Sequence, residues 1–147
     1  MLTIVPTPTS TAELSSQLRM SVMRLARRLR YERADFTLSL NQLAVLATLE
    51  RHGALTPREL AAHEKVQPPS MTRILAVLEQ RGLVSRTPHP SDGRQVLMAN
   101  TGEAVALLRE DRRRRDVWLS RRLAELTAAE RATLRDAARI LDRIAQA

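Results

Sequence analysis

Arginine is the side chain through which this 147-residue sequence could do most of its chemistry. All but one of its 24 basic residues are arginine, and with only 16 acidic residues the net charge is +8. A guanidinium keeps its charge at any physiological pH, and its fixed fork of donors fits phosphate oxygens and the edge of guanine. The composition therefore favours a polyanion as the partner, either nucleic acid or an anionic membrane surface.

Residue patterns typical of catalysis or metal binding do not occur. The sequence has no cysteine, which excludes disulfides and thiolate metal sites. The three histidines, His52, His63 and His89, match no common metal-binding spacing, and we interpret His63 and Glu64 as a solvent-facing pair. The four glycines form no phosphate-binding loop, and there is no serine elbow or carboxylate pair. We therefore expect a protein that is not an enzyme and needs no metal or cofactor.

No stretch of the sequence predicts contact with the interior of a membrane. The longest apolar runs fall well short of the roughly 18 residues that a spanning helix needs. The first five residues lack the basic start and long apolar run of a signal peptide. We expect a soluble cytoplasmic protein of one domain, without a membrane partner.

The arginine best suited to reading bases lies on a predicted helix. Pro68 and Pro69 are tolerated only in a first turn, so a helix begins near Pro68 and ends before Gly82. Its apolar residues recur at three- and four-residue spacing and predict one buried stripe: Met71, Ile74, Leu75 and Leu78. The residues left to face outward are Ser70, Thr72, Arg73 and Ala76. Such a helix spans roughly 20 Å, enough to lie in a DNA major groove.

A shorter helix precedes this one and a two-stranded ribbon follows it. Thr56 and Glu59 form the capping box that starts the shorter helix. The ribbon pairs residues 83–87 with residues 95–99 across a loop broken by prolines and an Asp-Gly pair. Arg94 projects from that loop and could enter a minor groove. This order of elements predicts a winged helix-turn-helix, mainly α with a small β-ribbon.

Further elements complete the predicted DNA-binding unit, which we assign to residues 37–100. Ser39 and Gln42 cap a supporting helix that ends near Gly53. Residues 54–55 then run extended and could add a short third strand to the ribbon. In this unit Arg73 is the candidate for a bidentate contact to guanine, while Lys65 and Arg86 are candidates for phosphate contacts.

The wing carries a family signature. The segments 82–86 (GLVSR) and 90–94 (PSDGR) resemble the motif of the MarR (multiple-antibiotic-resistance regulator) family of bacterial transcription factors. The resemblance implies that Asp92 helps to hold the wing and that Arg94 inserts into the minor groove. It also implies that Ser70, Thr72 and Arg73 lie on the recognition helix. The similarity in helix order and length covers nearly the whole chain, roughly residues 11–147, whereas the specific motif is confined to about residues 82–101.

The sequence departs from the family pattern where the next helix begins. Family members usually have a Leu-Thr pair there and a Gly three residues beyond the Thr. Here Asn100 precedes Thr101, and Ala104 stands in the place of the Gly. The departure concerns the hydrophobic contact at the start of this helix and leaves the wing motif intact.

The terminal helices carry more apolar surface than a winged helix needs for its own core. After an N-terminal arm (residues 1–10), the helical segment 11–36 has an apolar stripe at three- and four-residue spacing. The segment 101–147 predicts a long connecting helix and a last helix capped by Thr127 and Glu130. Burial across a two-fold axis would make both segments a dimerisation domain, as the resemblance also implies. The alternative is a three-helix cap on a monomer.

Two basic clusters allow more than one interpretation. The first-helix cluster comprises Arg24, Arg27, Arg28 and Arg30, and it is either a solvated face or a site for an anionic ligand or phosphate. The second is the run Arg112–Arg115, which points all around its helix and so should stay outside a monomer core. This run is a solvated turn with Glu110–Arg114 and Arg112–Asp116 pairs, a subunit contact or a phosphate contact.

The predicted function is that of a sequence-specific DNA-binding transcriptional regulator. We expect a homodimer, most often a repressor in this family, that reads a pseudo-palindrome in double-stranded DNA. By resemblance, a small anionic or aromatic effector would bind between the DNA-reading unit and the dimer helices and release the DNA. The alternatives are nonspecific nucleoid-type DNA binding and a winged-helix module for protein interaction.

Overall fold

The computed structural model describes residues 10–147, so all of the predicted N-terminal arm except Ser10 lies outside the described residues. Within this range the chain forms six helices and a two-stranded sheet. In chain order they are α1 (Thr11–Arg30), α2 (Leu40–His52), α3 (Pro57–Glu64), α4 (Pro68–Gln80), β1 (Val84–Pro88), β2 (Val96–Asn100), α5 (Gly102–Ala124) and α6 (Ala128–Ala145). The predicted fold class is confirmed. No helix in the described range is long and apolar enough to cross a membrane.

The described residues divide into two compact units, one that ends at Glu32 and one that spans residues 33–147. In the first unit, α1 begins with the predicted capping box, in which Ser10 Oγ accepts from Glu13 N and the Glu13 carboxylate accepts from Ser10 N, both at 3.1 Å. The apolar stripe of α1 is largely exposed, with 52% of Leu14 and 45% of Leu25 accessible to solvent. Burial of such a stripe normally supplies most of a helix's stability. In the single chain, α1 therefore lacks much of the packing that would stabilise it.

Three helices of the second unit begin as predicted. In each, an N-cap hydroxyl accepts from the third backbone N–H of the helix, and the third side chain accepts from the backbone of the cap. The pairs are Ser39–Gln42 in α2, Thr56–Glu59 in α3 and Thr127–Glu130 in α6. A cap of this kind stabilises a helix by about 1 kcal/mol, which fixes where each helix starts.

The ribbon lies where the sequence predicts, with each strand shifted by one residue. β1 and β2 are antiparallel, with Val84 opposite Asn100 and Pro88 opposite Val96. The predicted third strand is reduced to a single bridge, in which Leu55 and Met98 exchange backbone hydrogen bonds of 3.0 and 2.8 Å. This bridge fastens the chain just before α3 to the base of the wing.

The hydrophobic core lies beneath α4. The predicted stripe is confirmed for Met71, Leu75 and Leu78, which are at most 2% exposed, whereas Ile74 is only partly buried. These side chains belong to one buried cluster with residues of α2, α3 and β2, including Val45, Leu46, Leu60 and Met98. Full burial of a large apolar side chain contributes about 1.5–3 kcal/mol. The inner face of α4 is therefore fixed in the core, and its outer face is left to solvent.

Polar and small residues make the contacts at the start of α5. Thr101 caps the helix, and its hydroxyl also donates to the carbonyl oxygen of Gly82 at 2.6 Å. Asn100 Nδ2 donates to the carbonyl oxygen of Leu46 at 2.9 Å, and Ala104 is completely buried. This hydrogen bond from Asn100 ties the start of α5 to the backbone of α2.

The arginine run of α5 stays outside the core, as predicted, but its pairing differs in part. The predicted Glu110–Arg114 ion pair is present at 3.0 Å. The predicted Arg112–Asp116 pair is wrong, because Arg112 instead reaches Glu50 of α2 with N–O distances of 2.8 and 3.0 Å. A carboxylate on a neighbouring helix replaces the one on the same helix, so this part of the run ties α5 to α2.

The interpretation of His63 and Glu64 as a solvent-facing pair holds for His63, which is exposed, and is wrong for Glu64. The Glu64 carboxylate is half-buried and accepts a hydrogen bond from the hydroxyl of Thr48 on α2. The His63 ring stacks on His52, with ring centroids 4.4 Å apart. Both contacts join α3 to α2, which periodicity within α3 alone does not reveal.

Candidate nucleic-acid interface

The outer face of α4 is the central surface of the predicted interface. Gln67 is the N-cap residue and Pro68 and Pro69 occupy the first helical positions, as predicted. Thr72 and Arg73 are exposed and Ser70 is half-buried. Among residues 10–147, no carboxylate forms an ion pair with Arg73, so its guanidinium keeps all its donors for a ligand.

Two further properties of α4 bear on recognition. The Thr72 hydroxyl donates to the carbonyl oxygen of Pro68 at 3.0 Å, which leaves the methyl group and the acceptor lone pairs for a base edge. Val77 is 38% exposed, so this helix also carries one large apolar side chain at its surface. A side chain of that type fits the methyl group of thymine.

The turn before α4 contains the first predicted phosphate contact. Lys65 ends α3 in the left-handed conformation, with φ 53° and ψ 44°. In the described residues it is the only non-glycine residue with positive φ. The backbone N–H of Val66 then donates to the carbonyl oxygen of Ala61 at 3.1 Å. The reversal needed between α3 and α4 thus depends on an unfavourable backbone angle at Lys65.

The wing tip is held by hydrogen bonds centred on Asp92 and His89. Asp92 Oδ1 accepts from the backbone N–H of Arg94 at 3.0 Å, and the carbonyl oxygen of Asp92 accepts from Gln95 N at 3.0 Å. His89 Nδ1 accepts from Ser91 N at 3.2 Å. Asp92 therefore shapes the loop through the backbone, and the side chain of Arg94 is exposed and without a carboxylate partner in the described residues.

The second predicted phosphate contact is engaged within the protein. Arg86 on β1 donates to both carboxylate oxygens of Glu79 near the end of α4, at 3.3 and 3.2 Å. Both side chains are well exposed, and an ion pair of this kind contributes at most about 1 kcal/mol. A DNA phosphate could therefore compete with Glu79 for Arg86, and the pair meanwhile links the wing to α4.

Sequence reasoning missed a polar contact at the C-terminal end of α4. Arg81 lies close to two residues before α2, donating to Thr37 Oγ1 at 2.7 Å and to Asp35 Oδ2 at 2.5 Å. The Thr37 hydroxyl, the Thr37 backbone N–H and Arg81, in that order, lower the pKa of Asp35. The only local signal was the Asp-x-Thr pattern typical of a side chain that caps its own turn.

The predicted residues thus fall into two groups on the second unit. Lys65, Ser70, Thr72 and Arg73 lie in one continuous segment formed by the turn and α4. Asp92 and Arg94 lie at the wing tip. Arg86 lies on β1 of the wing and contacts Glu79 of α4, so it links the two groups. No cluster of three or more His, Asp or Glu side chains that could hold a metal ion occurs in the described range. The chemistry available is that of cations and hydroxyls on an exposed helix and loop.

Comparisons with known proteins agree with this arrangement. The family model for the MarR family matches residues 38–96. The HTH-type transcriptional regulator MT0903.1 of Mycobacterium tuberculosis is 48% identical over 132 residues, covering 90% of this chain and 92% of that protein. The HTH-type transcriptional repressor MdtR of Bacillus subtilis is 35% identical over 106 residues, covering 72% of this chain and 66% of that protein.

A solved structure supports the same assignment. A transcriptional regulator protein from Pseudomonas aeruginosa superposes with a TM-score of 0.82 at 36% identity, covering 92% of this chain and 96% of that chain. The similarity to these regulators also bears out the prediction that the protein is not an enzyme. The chain belongs to the MarR family of winged helix-turn-helix transcriptional regulators, as the resemblance in the wing implied.

Proposed function

We propose that this MarR-family regulator binds a pseudo-palindromic site in double-stranded DNA as a homodimer and reads it with α4 and the wing. The observation that carries the proposal is the unpaired guanidinium of Arg73 on the solvent face of α4. In a protein of net charge +8, an arginine free of carboxylates on the exposed face of a helix anchored in the core is suited to a bidentate contact with guanine. Ser70 and Thr72 would contact neighbouring bases.

The remaining predicted residues would position the protein on the duplex. Arg94 would enter the minor groove, where a narrow groove strengthens the negative potential, and Asp92 would hold the loop that presents it. Lys65 and Arg86 would contact phosphates, which set affinity and orientation without reading sequence. Arg86 would exchange its contact with Glu79 for the phosphate at small cost, because both side chains are exposed.

The exposed terminal helices support the dimer. Apolar side chains of α1 and α6 are between 36% and 59% exposed in the single chain: Leu14, Leu18, Val22, Leu25, Leu134, Ile140 and Ile144. Monomeric soluble proteins rarely leave apolar stripes of this kind in water on more than one helix, which speaks against a three-helix cap on a monomer. A two-fold axis through these helices would place two copies of α4 on half-sites about one DNA turn, 34–36 Å, apart.

We further propose a repressor that a small organic anion releases from DNA in the cytoplasm, where bacterial DNA lies. The repressor role is supported by the relative MdtR, which is named a repressor. The effector class is supported by a shallow groove of about 400 Å³ on α1. It is lined by Arg19, Met20, Met23, Arg24, Arg27 and Arg30, which together offer cations and flexible apolar surface to an aromatic acid.

Selection of bound duplexes from a random DNA pool at about 150 mM salt tests the proposal, since nonspecific phosphate contacts are weakened there. The wild-type protein should recover an inverted repeat with half-sites about one turn apart. Arg73→Gln should lose or change the preference at one guanine in each half-site, whereas Arg135→Gln on α6 removes the same charge and should leave the motif unchanged. Recovery of no motif would favour nucleoid-type binding, and no DNA binding at all would favour the protein-interaction module.

A further inference from the structure

The C-terminal end of α4 has two polar anchors. The first joins it to the start of α5, where Thr101 Oγ1 donates to the carbonyl oxygen of Gly82 at 2.6 Å. The second is the fork of Arg81, which reaches Thr37 Oγ1 at 2.7 Å and Asp35 Oδ2 at 2.5 Å. The two anchors join α4 to different parts of the chain, so together they restrain its direction as well as its position.

The second anchor belongs to a short segment that α5 also holds. We call residues 33–37 the connector. Asp111 of α5, which is 1% exposed, accepts from the backbone N–H of Ala34 at 2.6 Å. Arg114, one turn further along α5, donates to the carbonyl oxygen of Arg33 at 3.4 Å. The connector is therefore fastened to α5 at one end and to α4 at the other.

We propose that Asp35 and Arg81 are positioning residues that set the tilt of α4 and with it the half-site spacing that the dimer accepts. The inference rests on the proposed function, because spacing has meaning only for two copies of α4 on one duplex. With the Thr101 anchor alone, α4 could rotate about its C-terminal end. The contact of Arg81 with the connector is a second point of attachment, and it fixes the orientation of α4 relative to α5. The chain continues from α5 into α6, which belongs to the proposed dimer interface.

The geometry makes a small tilt consequential. α4 has 13 residues and is about 20 Å long at 1.5 Å per residue. A tilt of about 10° about its C-terminal end moves its N-terminal end, near Ser70, by about 3 Å, and moves Arg73 in the middle of the helix by about 2 Å. The larger displacement approaches the 3.4 Å rise of one base pair. In a symmetric dimer both copies of α4 move, so the change in the distance between them is up to twice the displacement of one.

Other contacts of α4 do not replace the connector. The apolar stripe holds α4 in the core, but hydrophobic burial is non-directional and methionine adapts to small shifts, as Met71 could here. The Arg86–Glu79 pair joins α4 only to the adjoining wing, so the wing would tilt with the helix. The directional hydrogen bonds to the connector add resistance to a small tilt that the core packing alone would tolerate.

The test measures affinity for duplexes whose spacer between half-sites is the selected length or one base pair longer or shorter. Asp35→Asn should lower the preference for the selected spacer by about fivefold, the lower end of typical coupling between sites. Arg81→Gln should do the same, and the double variant should lose no more than either single variant. Glu50→Gln is the matched control, since it removes the same charge from another exposed pair, Arg112–Glu50, and should keep the wild-type preference.

The preference is a ratio of affinities, so a variant that only folds less well loses affinity equally for all duplexes and keeps the ratio. Thr37→Ser retains the hydroxyl that Arg81 uses and should keep the wild-type ratio. If the wild type shows a clear spacer optimum and both Asp35→Asn and Arg81→Gln keep the wild-type ratio, the inference about the connector is overturned and the proposed function stands. A wild-type protein without any spacer optimum would overturn the proposed dimeric reading and the inference with it.

Discussion

Replacing Lys65 by glycine should change stability and DNA binding in opposite directions. Lys65 has φ 53° in the turn between α3 and α4, and its amine is a predicted phosphate contact. The left-handed region costs a residue with a Cβ roughly 1–2 kcal/mol, and glycine avoids this cost. Glycine in turn gives the unfolded chain about 0.5–1 kcal/mol of extra conformational freedom. The net expectation is that the variant is more stable by about 0.5–1 kcal/mol.

Lys65→Ala is the matched control for this change. Alanine removes the same amine but keeps a Cβ, so it should not share the gain in stability. For a chain of this size, the difference between the two variants corresponds to a melting temperature about 1–4 °C higher for the glycine variant. Thermal unfolding followed by circular dichroism at equal protein concentration measures it.

The same two variants test the phosphate contact. Both lose one positive charge per protomer, so the slope of log affinity against log salt concentration should fall by about 2 per dimer. Equal melting temperatures for the glycine and alanine variants would refute the argument from the backbone angle. An unchanged salt slope would refute the role of Lys65 at the phosphate backbone, whatever happens to stability.

Three further predictions concern the wing, the connector and the dimer. Arg94→Ala should weaken specific binding by roughly 1–3 kcal/mol in a mobility-shift titration, and unchanged affinity and site preference would count against its minor-groove contact. The pKa of Asp35 is lowered in the folded protein, so its contribution to stability is present above the unfolded value near 3.8 and is lost as pH falls through the folded value. Urea unfolding should therefore show Asp35→Asn less stable than the wild type at pH 7, with the difference vanishing below that pKa; a difference that persists in acid would contradict this. Leu134→Arg should convert a dimer into a monomer in sedimentation at micromolar concentration, and a wild-type species of one-chain mass would exclude the dimer itself.

The starts of α1, α2, α3 and α6 could be predicted because a capping box is local. Ser39 and Thr56 lie three residues from their capping partners, so both members of each pair are visible in one short stretch of sequence. In the wing, the family resemblance implied that Asp92 holds the loop, and its carboxylate accepts from the backbone N–H of Arg94 two residues away. The capping contacts follow from residue type and spacing alone, and the structure places them where the sequence predicts.

The contacts that position the DNA-reading helix could not be predicted in this way. Asp35 and Arg81 are 46 residues apart in sequence, and Ala34 and Asp111 are 77 apart. Their pairing depends on how α2, α4 and α5 pack, which no local pattern specifies. Arg112 illustrates the same limit, because a partner at i+4 was available but a carboxylate on α2 lies closer in the folded chain.

Side-chain exposure was predicted best where the apolar pattern is simple. The stripe of α4 has one periodicity and one buried face, and it is correct apart from the partial exposure of Ile74. The predicted exposure of Glu64 was wrong. A charged residue on a short helix is usually solvated, whereas here the hydroxyl of Thr48 on α2 donates a hydrogen bond to the carboxylate. Burial of a polar group requires knowledge of its partner, which becomes available only with the fold.

The comparison of a selected duplex with a scrambled duplex of equal length and composition tests the central claim most directly. Both affinities would be measured at about 150 mM salt, where specific binding by regulators typically exceeds nonspecific binding by 10³ or more. The arrangement of Arg73 on α4 and Arg94 on the wing predicts a ratio in that range. A ratio near one, with both affinities falling together as salt rises, would contradict sequence-specific reading by this protein.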